Sequence, residues 1–515
     1  MTLNMINSTS LSDQRAYTST HQVSFAVSSE KIMFQELFIS TWFLVLGSCV
    51  AFPFVTRFRS YITQCLNACE WLFCGPQLLA KRYVPGIPFS VKTPYREYHL
   101  VSSREHIHEI SRADENHLSL VEIAEEVFQP HHTMNGIELN RLGMQRRILR
   151  KLSLKLEGYQ QPLTNLITAE MRDALSAKTG ATGAWTEIGI FSMTQKVVAM
   201  ANTFTFYGHH FTGDQAFLEA ALQYPRDVFI AAEVLRCVPS ALSGPASWLA
   251  TRGHRASNHM FAKLVPMVEE RLRCGKEVPR DTQQDYVQYV IDLYPEDVPD
   301  RARRIVEQTL ALWFASVHQP AITLYYAILD LCEHPHLQQQ LLAETHANQS
   351  SDGSIDILKL ELLDSFLKES ARLNTSESIS LRRKAVQPFT FKDGTHVAAE
   401  DWVCVPQRPL LRDAAIYPNP DIFDPFRFMS HNTGTQKASK FTDLSPDYPM
   451  WGLGKQACPG RFYASFIVKL VLIELIQSYD FGMETIPDKR YFTWRSSLIP
   501  RPNLQFQVRP RQFDR

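Results

Sequence analysis

The chain carries no surplus of charge: 53 Lys and Arg balance 53 Asp and Glu across 515 residues, for a formal net charge of zero. Without a basic excess or stripe there is no electrostatic footprint for nucleic acid, and none is expected as a partner. Internal repeats and low-complexity tracts are missing too, which excludes solenoids and arrays. The nine cysteines, Cys49, Cys65, Cys69, Cys74, Cys237, Cys274, Cys332, Cys404 and Cys458, are odd in number and scattered, a poor basis for a disulfide framework. Cys65, Cys69 and Cys74 lie close together, yet no histidine pattern beside them completes a zinc site. What remains is enzyme-sized. With 45% hydrophobic and 11% aromatic residues the chain can bury a large core, and one large helical unit suits its length.

From Leu37 to Val55 no residue is charged, which predicts a membrane helix of roughly 20 residues. Arg57, Arg59, Lys81 and Arg82 follow, placing the C-terminal side in the cytosol. The expected organisation is a short lumenal segment at 1–36, an anchor at 37–56, a basic, proline-rich linker at 57–88 and one domain at 89–515. That arrangement implies a single-pass protein in contact with membrane lipid, and the sequon Asn7-Ser8-Thr9 makes it a glycoprotein on the lumenal side. The pattern is mainly helical from Leu139 to Gln339. A small early sheet is expected around Phe89 and His99, and a hairpin at Asp393-Gly394.

The stretch Trp451-Gly-Leu-Gly454-Lys-Gln-Ala-Cys458-Pro-Gly460 stands just ahead of a long apolar helical pattern from Ala464 to Tyr479. A cysteine between two glycines at a helix start suits a thiolate presented to a large flat cofactor. The glycines permit tight turns, and helix N–H groups favour the anion. Trp451, Gly454, Cys458 and Gly460 fill the cysteine-loop pattern of the cytochrome P-450 family, which the chain resembles, with Trp for the more usual Phe. Gln456 stands where that family often has a basic residue. The resemblance covers about Tyr83 to Pro510. It implies a mainly α fold with a small β region, the cytochrome P-450 fold, behind the N-terminal transmembrane helix. Haem would be bound with Cys458 as axial ligand to the metal, the thiolate donating electron density to the iron.

Two further constellations carry the resemblance. Glu369 and Arg372 are three apart on a helix and share a face. The family joins such a pair to a later arginine, and Phe423-Asp-Pro-Phe-Arg427-Phe428 supplies Arg427 in the right order. An arginine about ten residues past that helix binds a haem propionate in the family; Arg382 and Arg383 both fit. The family's Trp-x-x-x-Arg helix motif is not evident between Arg141 and Arg150.

The apolar segment from Ile305 to Cys332 suits a central helix. Where the family carries an acid followed by threonine, this chain has His318 and Gln319, then Pro320. Proline lacks an N–H, so Pro320 should free the Ser316 carbonyl and kink the helix. His318 is the expected proton shuttle near neutral pH. Gln319 would orient a water, and Thr323 is a further hydroxyl candidate. The resemblance implies a monooxygenase that inserts one oxygen atom from O2 into an apolar small molecule. The loop style is similar to fungal members of secondary metabolism, which suggests a terpenoid-type substrate. Electrons would come from NADPH through a partner reductase carrying FAD and FMN, docking near Lys455 and Arg461, with the protein held at the endoplasmic reticulum membrane. Two rival readings are a haem-thiolate isomerase, dehydratase or cyclase that works without the usual proton relay, and a non-catalytic haem or membrane-scaffold protein.

Overall fold

A helix that is apolar over most of its surface has to be buried over most of it, and the segment read as central is such a helix. In the structure, a computed structural model, it runs from Arg301 to Glu333, and Leu310, Trp313, Val317, Ala321, Leu324 and Tyr325 along it are buried. The structure describes residues 55–512, apart from 94–95, 138, 140–141, 177–183, 276–283, 352 and 431–437. The expected lumenal segment, its sequon and nearly all of the expected anchor at 37–56 lie outside the described residues. Among the described residues no helix is long and apolar enough to cross a membrane. The chain divides into two units, Met1–Thr63 and Gln64–Arg515, and the second holds every candidate site residue.

The helices that position the site are α1 (Val55–Arg82), α2 (Arg104–Arg112), α3 (Val121–Phe128), α4 (Leu142–Ser153), α5 (Leu156–Ser176), α6 (Ile190–Tyr207), α7 (Gln215–Leu235), α8 (Arg255–Cys274), α9 (Arg301–Glu333), α10 (Glu361–Leu373) and α11 (Arg461–Ser478). Helices α6, α8, α10 and α11 pack around α9 in one apolar core. Beside it lies a five-stranded sheet of β1 (Phe89–Lys92), β2 (Glu97–Leu100), β3 (Leu118–Ser119), β4 (Ser380–Ala385) and β5 (Trp402–Val405), in the order β1-β2-β5-β4-β3. Only β2 and β5 run parallel, Tyr98 opposite Trp402. A three-stranded sheet joins Thr186–Gly189, Gln505–Pro510 and Tyr479–Gly482. Phe389–Thr390 pairs with His396–Val397 as a hairpin, with Gly394 at φ +90° in its turn.

The stretch expected as a linker, 57–88, is helical through Arg82 and docked in its second half. Trp71, Leu78 and Leu79 are buried with Tyr98, Trp402 and Cys404. Helix α1 kinks at Cys74, just ahead of Pro76. Pro76 offers no N–H to Leu72, and the Leu72 carbonyl instead accepts from the Arg495 backbone N–H at 2.7 Å. The approach is close enough that a Cβ at Gly75 would sit 2.1 Å from the Arg495 carbonyl oxygen. Proline here creates an attachment point.

Candidate active site

The loop before α11 is held by its own backbone. Cys458 N–H donates to the Trp451 carbonyl at 2.7 Å, and the Trp451 indole donates to Phe441 O at 2.7 Å. Gly454 has φ +64°, and a Cβ there would lie 2.8 Å from Ser111 O at the end of α2, so glycine is required. Gly452, at φ +74°, is a second left-handed turn that the motif does not include. Gly460 differs from the expectation. Its φ is −88°, and the nearest atom to an added Cβ is Leu149 Cδ1 at 4.0 Å, so neither turn nor crowding demands glycine.

Cys458 precedes α11 by three residues and is partly exposed, whereas Cys332 and Cys404 are buried. Burial raises all three thiols, Cys332 and Cys404 to about 12. Arginine charges pull each of the three back toward the thiolate, and at Cys458 alone backbone N–H groups, those of Gly460 and Arg461, add to the pull. Arg461 Nη1 donates to Cys458 O at 2.9 Å and Nε to Thr442 O at 3.2 Å, so its guanidinium is committed to the loop.

Glu369 and Arg372 on α10 are both fully buried and paired through two bonds, at 2.7 and 2.8 Å. Arg427 Nε reaches the same carboxylate at 3.1 and 3.2 Å. Arg372 Nη1 donates to the carbonyls of Leu411 and Pro420, and Arg427 Nη1 to that of Pro418. One carboxylate between two guanidiniums leaves a positive excess, which those carbonyls solvate. The network ties α10 to the irregular segment leading to the cysteine loop.

Strand alternation separates the two candidate arginines, since successive side chains point to opposite faces. Arg382 is ion-paired with Glu377. Arg383 is buried; its Nη1 donates to Arg382 O at 2.6 Å, and its Nε has no partner among the described residues. Burial pushes Arg383 down to about 10; the charges of Glu115 and Cys404 oppose this, and the like charge of Arg146 on α4 adds to it. Two guanidiniums within electrostatic reach of each other, one with a buried N–H unpartnered among the described residues, suit the carboxylates of a bound dianion. A haem with its propionates fits this donor set: Cys458 toward iron, Arg383 and Arg146 toward carboxylates. Sequence reading missed Arg146 because Leu142 fills the place of the tryptophan four residues before it. Gln456 does not join them; its amide donates to Glu115.

On α9, Pro320 leaves the Ser316 carbonyl without its helical donor, and Asn202 on α6 supplies one. Asn202 Nδ2 lies 3.2 Å from both Ser316 O and Ser316 Oγ. Its Oδ1 accepts from the Tyr463 hydroxyl of α11 at 2.9 Å. Burial raises the Tyr463 pKa, so this hydroxyl stays a donor. Helix α9 runs unbroken from Arg301 to Glu333, without the expected kink being evident, and its freed carbonyl is fastened to the helix that begins beside Cys458. Neither Asn202 nor Tyr463 stood out in the sequence, because each lies inside an apolar run.

The three expected catalytic residues do not converge. Gln319 shares an exposed face with Ala315, and its Oε1 accepts from Ser376 Oγ at 2.9 Å. The Thr323 hydroxyl donates to Gln319 O at 3.0 Å, so its proton is spent on its own helix. His318 turns toward α6 and α7. Its Nδ1 lies 3.3 Å from Gln195 Nε2, and its ring is 5.5 Å from that of Phe229. Burial, then the Arg226 charge, lowers His318 to about 4. A ring held neutral across the physiological range is a poor setting for the proton shuttle expected of it.

The profile of the family described as Cytochrome P450 matches residues 76–508. Among curated proteins, the chain is similar to cytochrome P450 monooxygenase penP of Penicillium crustosum, 29% identical over 70% of this chain and 73% of that one. It is likewise similar to cytochrome P450 monooxygenase paxP of Penicillium paxilli, 27% identical over 70% and 74%. Cytochrome P450 monooxygenase 151 of Postia placenta is 26% identical over 80% and 84%. Among solved structures, the retinoic acid-bound cyanobacterial CYP120A1 superposes with TM-score 0.66 at 16% identity, over 86% of this chain and 96% of that one. A zebrafish cytochrome P450 with progesterone gives TM-score 0.64 at 17% identity, over 85% and 99%.

Proposed function

Since the chain belongs to the cytochrome P450 family and is a haem monooxygenase, we propose that Cys458 is the axial thiolate and that Arg383 and Arg146 hold the haem propionates. The observation that carries this reading is the buried Nε–H of Arg383, unpartnered among the described residues and within electrostatic reach of Arg146, on the strand against which the Pro449–Trp451 turn packs. Bound there, haem supplies the activation of O2 and the insertion of one of its atoms into a substrate C–H bond. The chain's own residues prepare that step. The N–H groups of Gly460 and Arg461 hold negative charge on Cys458 Sγ. Gln319, its Oε1 fixed by Ser376, keeps its amide N–H for a water in the notch at Pro320. Thr323, whose hydroxyl donates to Gln319 O, is left to brace its own helix.

The substrate in this reading is an apolar, terpenoid-type small molecule, supported by the aromatic wall of Phe128, Phe229 and Phe314 beside α9. Electrons come from NADPH through a flavin reductase carrying FAD and FMN. It docks at exposed Lys455, not at Arg461, whose guanidinium is committed to the loop. The uncharged run from Leu37 to Val55, with arginines after it, supports a membrane-anchored protein of the endoplasmic reticulum with its catalytic domain in the cytosol. The reduced-CO difference spectrum tests the site: the red-shifted thiolate band is expected, followed by product formation that needs both NADPH and O2. A haem protein without that band would overturn the assignment of Cys458. Glycosylation at Asn7, with none at Asn348 or Asn374, is the expected topology result; the reverse pattern would place the domain in the lumen.

A further inference from the structure

The direction of one hydrogen-bond chain decides what His318 offers. Arg226 on α7 has only donors to give, and its Nη2 lies 2.7 Å from Gln195 Oε1. That contact orients the Gln195 amide, so the atom 3.3 Å from His318 Nδ1 is Gln195 Nε2, a donor. His318 Nδ1 must therefore accept. A neutral imidazole with an accepting Nδ1 carries its proton on Nε2. This Nε2–H is buried and has no partner among the described residues.

Its surroundings are apolar. The Phe229 ring lies 5.5 Å from the imidazole, and Phe229 in turn meets Phe314 at 5.0 Å and Phe128 at 5.8 Å. These rings come from three elements, α7, α9 and α3, that converge beside His318. A buried donor left unpaired costs stability unless a ligand supplies the acceptor. One oriented donor in an otherwise aromatic wall is the usual build of a small-molecule pocket. Phe229 is 43% exposed although it covers this corner, so it is the ring with room to swing aside.

We infer that His318 is a substrate anchor, its Nε2–H donating to a carbonyl, ether or hydroxyl oxygen on an otherwise apolar substrate seated against Phe128, Phe229 and Phe314. This rests on the haem-thiolate reading and narrows it: the substrate arrives already bearing oxygen. A hydrocarbon could fill the wall but would leave the donor unpaired, and such a site discriminates strongly against an analogue lacking its acceptor. Gln195 and Arg226 act through His318 as positioning residues, since together they select its tautomer.

The test uses the full-length, haem-loaded enzyme and the substrate-induced change in haem absorbance. The probes are rigid polycyclic ketones, adamantanone and cholestanone, each paired with its parent hydrocarbon. The wild type should bind the ketone about tenfold more tightly than the hydrocarbon. His318→Phe should erase that preference while leaving hydrocarbon affinity in place, and Gln195→Leu should shrink it by releasing the tautomer. Should His318→Phe not take up haem, His318→Gln, which keeps an N–H donor, should retain a reduced preference. Equal binding of the two probes by the wild type would overturn the proposal, as would failure of either ketone to bind or a ketone preference that survives His318→Phe. A rise in peroxide released per NADPH in His318→Phe at saturating ketone would do so too, because it would return His318 to proton delivery. The reduced-CO band separates the failures. Its absence in the wild type strikes the haem-thiolate reading and the anchor with it; a normal band without ketone preference strikes the anchor alone.

Discussion

The thiolate side and the oxygen side of this enzyme solve the same problem, burying polar groups, in opposite ways. On the thiolate side, Glu369, Arg372 and Arg427 close upon one another and upon the carbonyls of Leu411, Pro420 and Pro418. Those partners are fixed backbone or side chains that are buried or nearly so, so the arrangement behaves as a frame. On the oxygen side, α9 borrows its partners from other helices and loops: Ser316 from Asn202, Gln319 from Ser376, His318 from Gln195. One donor, His318 Nε2–H, has no partner among the described residues. A closed network preserves a scaffold, whereas a borrowed one can be re-addressed to a new substrate. The two helix prolines make the same point. Pro76 and Pro320 each free a carbonyl four residues back, and Arg495 and Asn202 respectively occupy it.

The sharpest way to break this comparison is at the thiolate itself. Cys458→Ser should abolish the reduced-CO thiolate band, because an alcohol stays protonated where a thiol ionises. Cys332→Ser and Cys404→Ser, at buried positions, should keep it; the opposite pattern would move the ligand elsewhere. Next comes the frame. Glu369→Ala leaves the Arg372 and Arg427 guanidiniums without their carboxylate, a loss of about 3–5 kcal/mol when one partner of a buried pair is removed. Haem per mole of protein and the midpoint of thermal unfolding should both fall steeply, and normal values for both would mean the network is dispensable.

On the oxygen side, His318 sharpens the contrast through pH. Its folded-state pKa of about 4 lies below the ordinary 6.5, so between those values the unfolded chain takes up a proton that the fold refuses. The contribution to stability is complete above about pH 6.5 and is lost as pH falls toward 4, reaching about 2 kcal/mol by pH 5. Unfolding free energies measured from pH 7 to pH 5 should drop more for the wild type than for His318→Phe; parallel slopes would mean the ring is solvated. The smallest effect belongs to the borrowed bond. Asn202→Leu should cost about 1–2 kcal/mol by leaving the Ser316 carbonyl unpaired. The cost should shrink in a Pro320→Ala background, where position 320 regains its N–H. Additivity of the two substitutions in a double-mutant cycle would show that Asn202 is not the substitute donor.

Much of the frame was legible in the chain. The cysteine between glycines, the i,i+3 pair Glu369 and Arg372, and the downstream Arg427 are local spacings, and local spacings survive folding unchanged. The freed carbonyl at Ser316 was legible for the same reason, since a missing N–H is a covalent fact. Less legible was anything needing a partner far away. Arg382 and Arg383 are equivalent on paper, and only the sheet, by putting them on opposite faces, gives Glu377 to one and buries the other with an Nε–H unpartnered among the described residues. The need for glycine at Gly454 comes from Ser111 O, more than three hundred residues earlier in the chain. Residues 57–82 read as a basic linker because their apolar contacts, Tyr98 and Trp402, lie on strands that composition cannot place beside them.

The sequence by itself determined the family, the carboxylate that pairs two arginines, and the carbonyl freed by Pro320 in the oxygen-side helix. Each follows from covalent chemistry or from neighbours within a helical turn. Tertiary structure alone decided how those pieces are addressed: which arginine stays unpaired, which residue takes the carbonyl freed at Pro320, and which nitrogen of His318 bears the proton. Those outcomes depend on hydrogen-bond direction between elements more than one hundred residues apart, and direction exists only once the helices have packed.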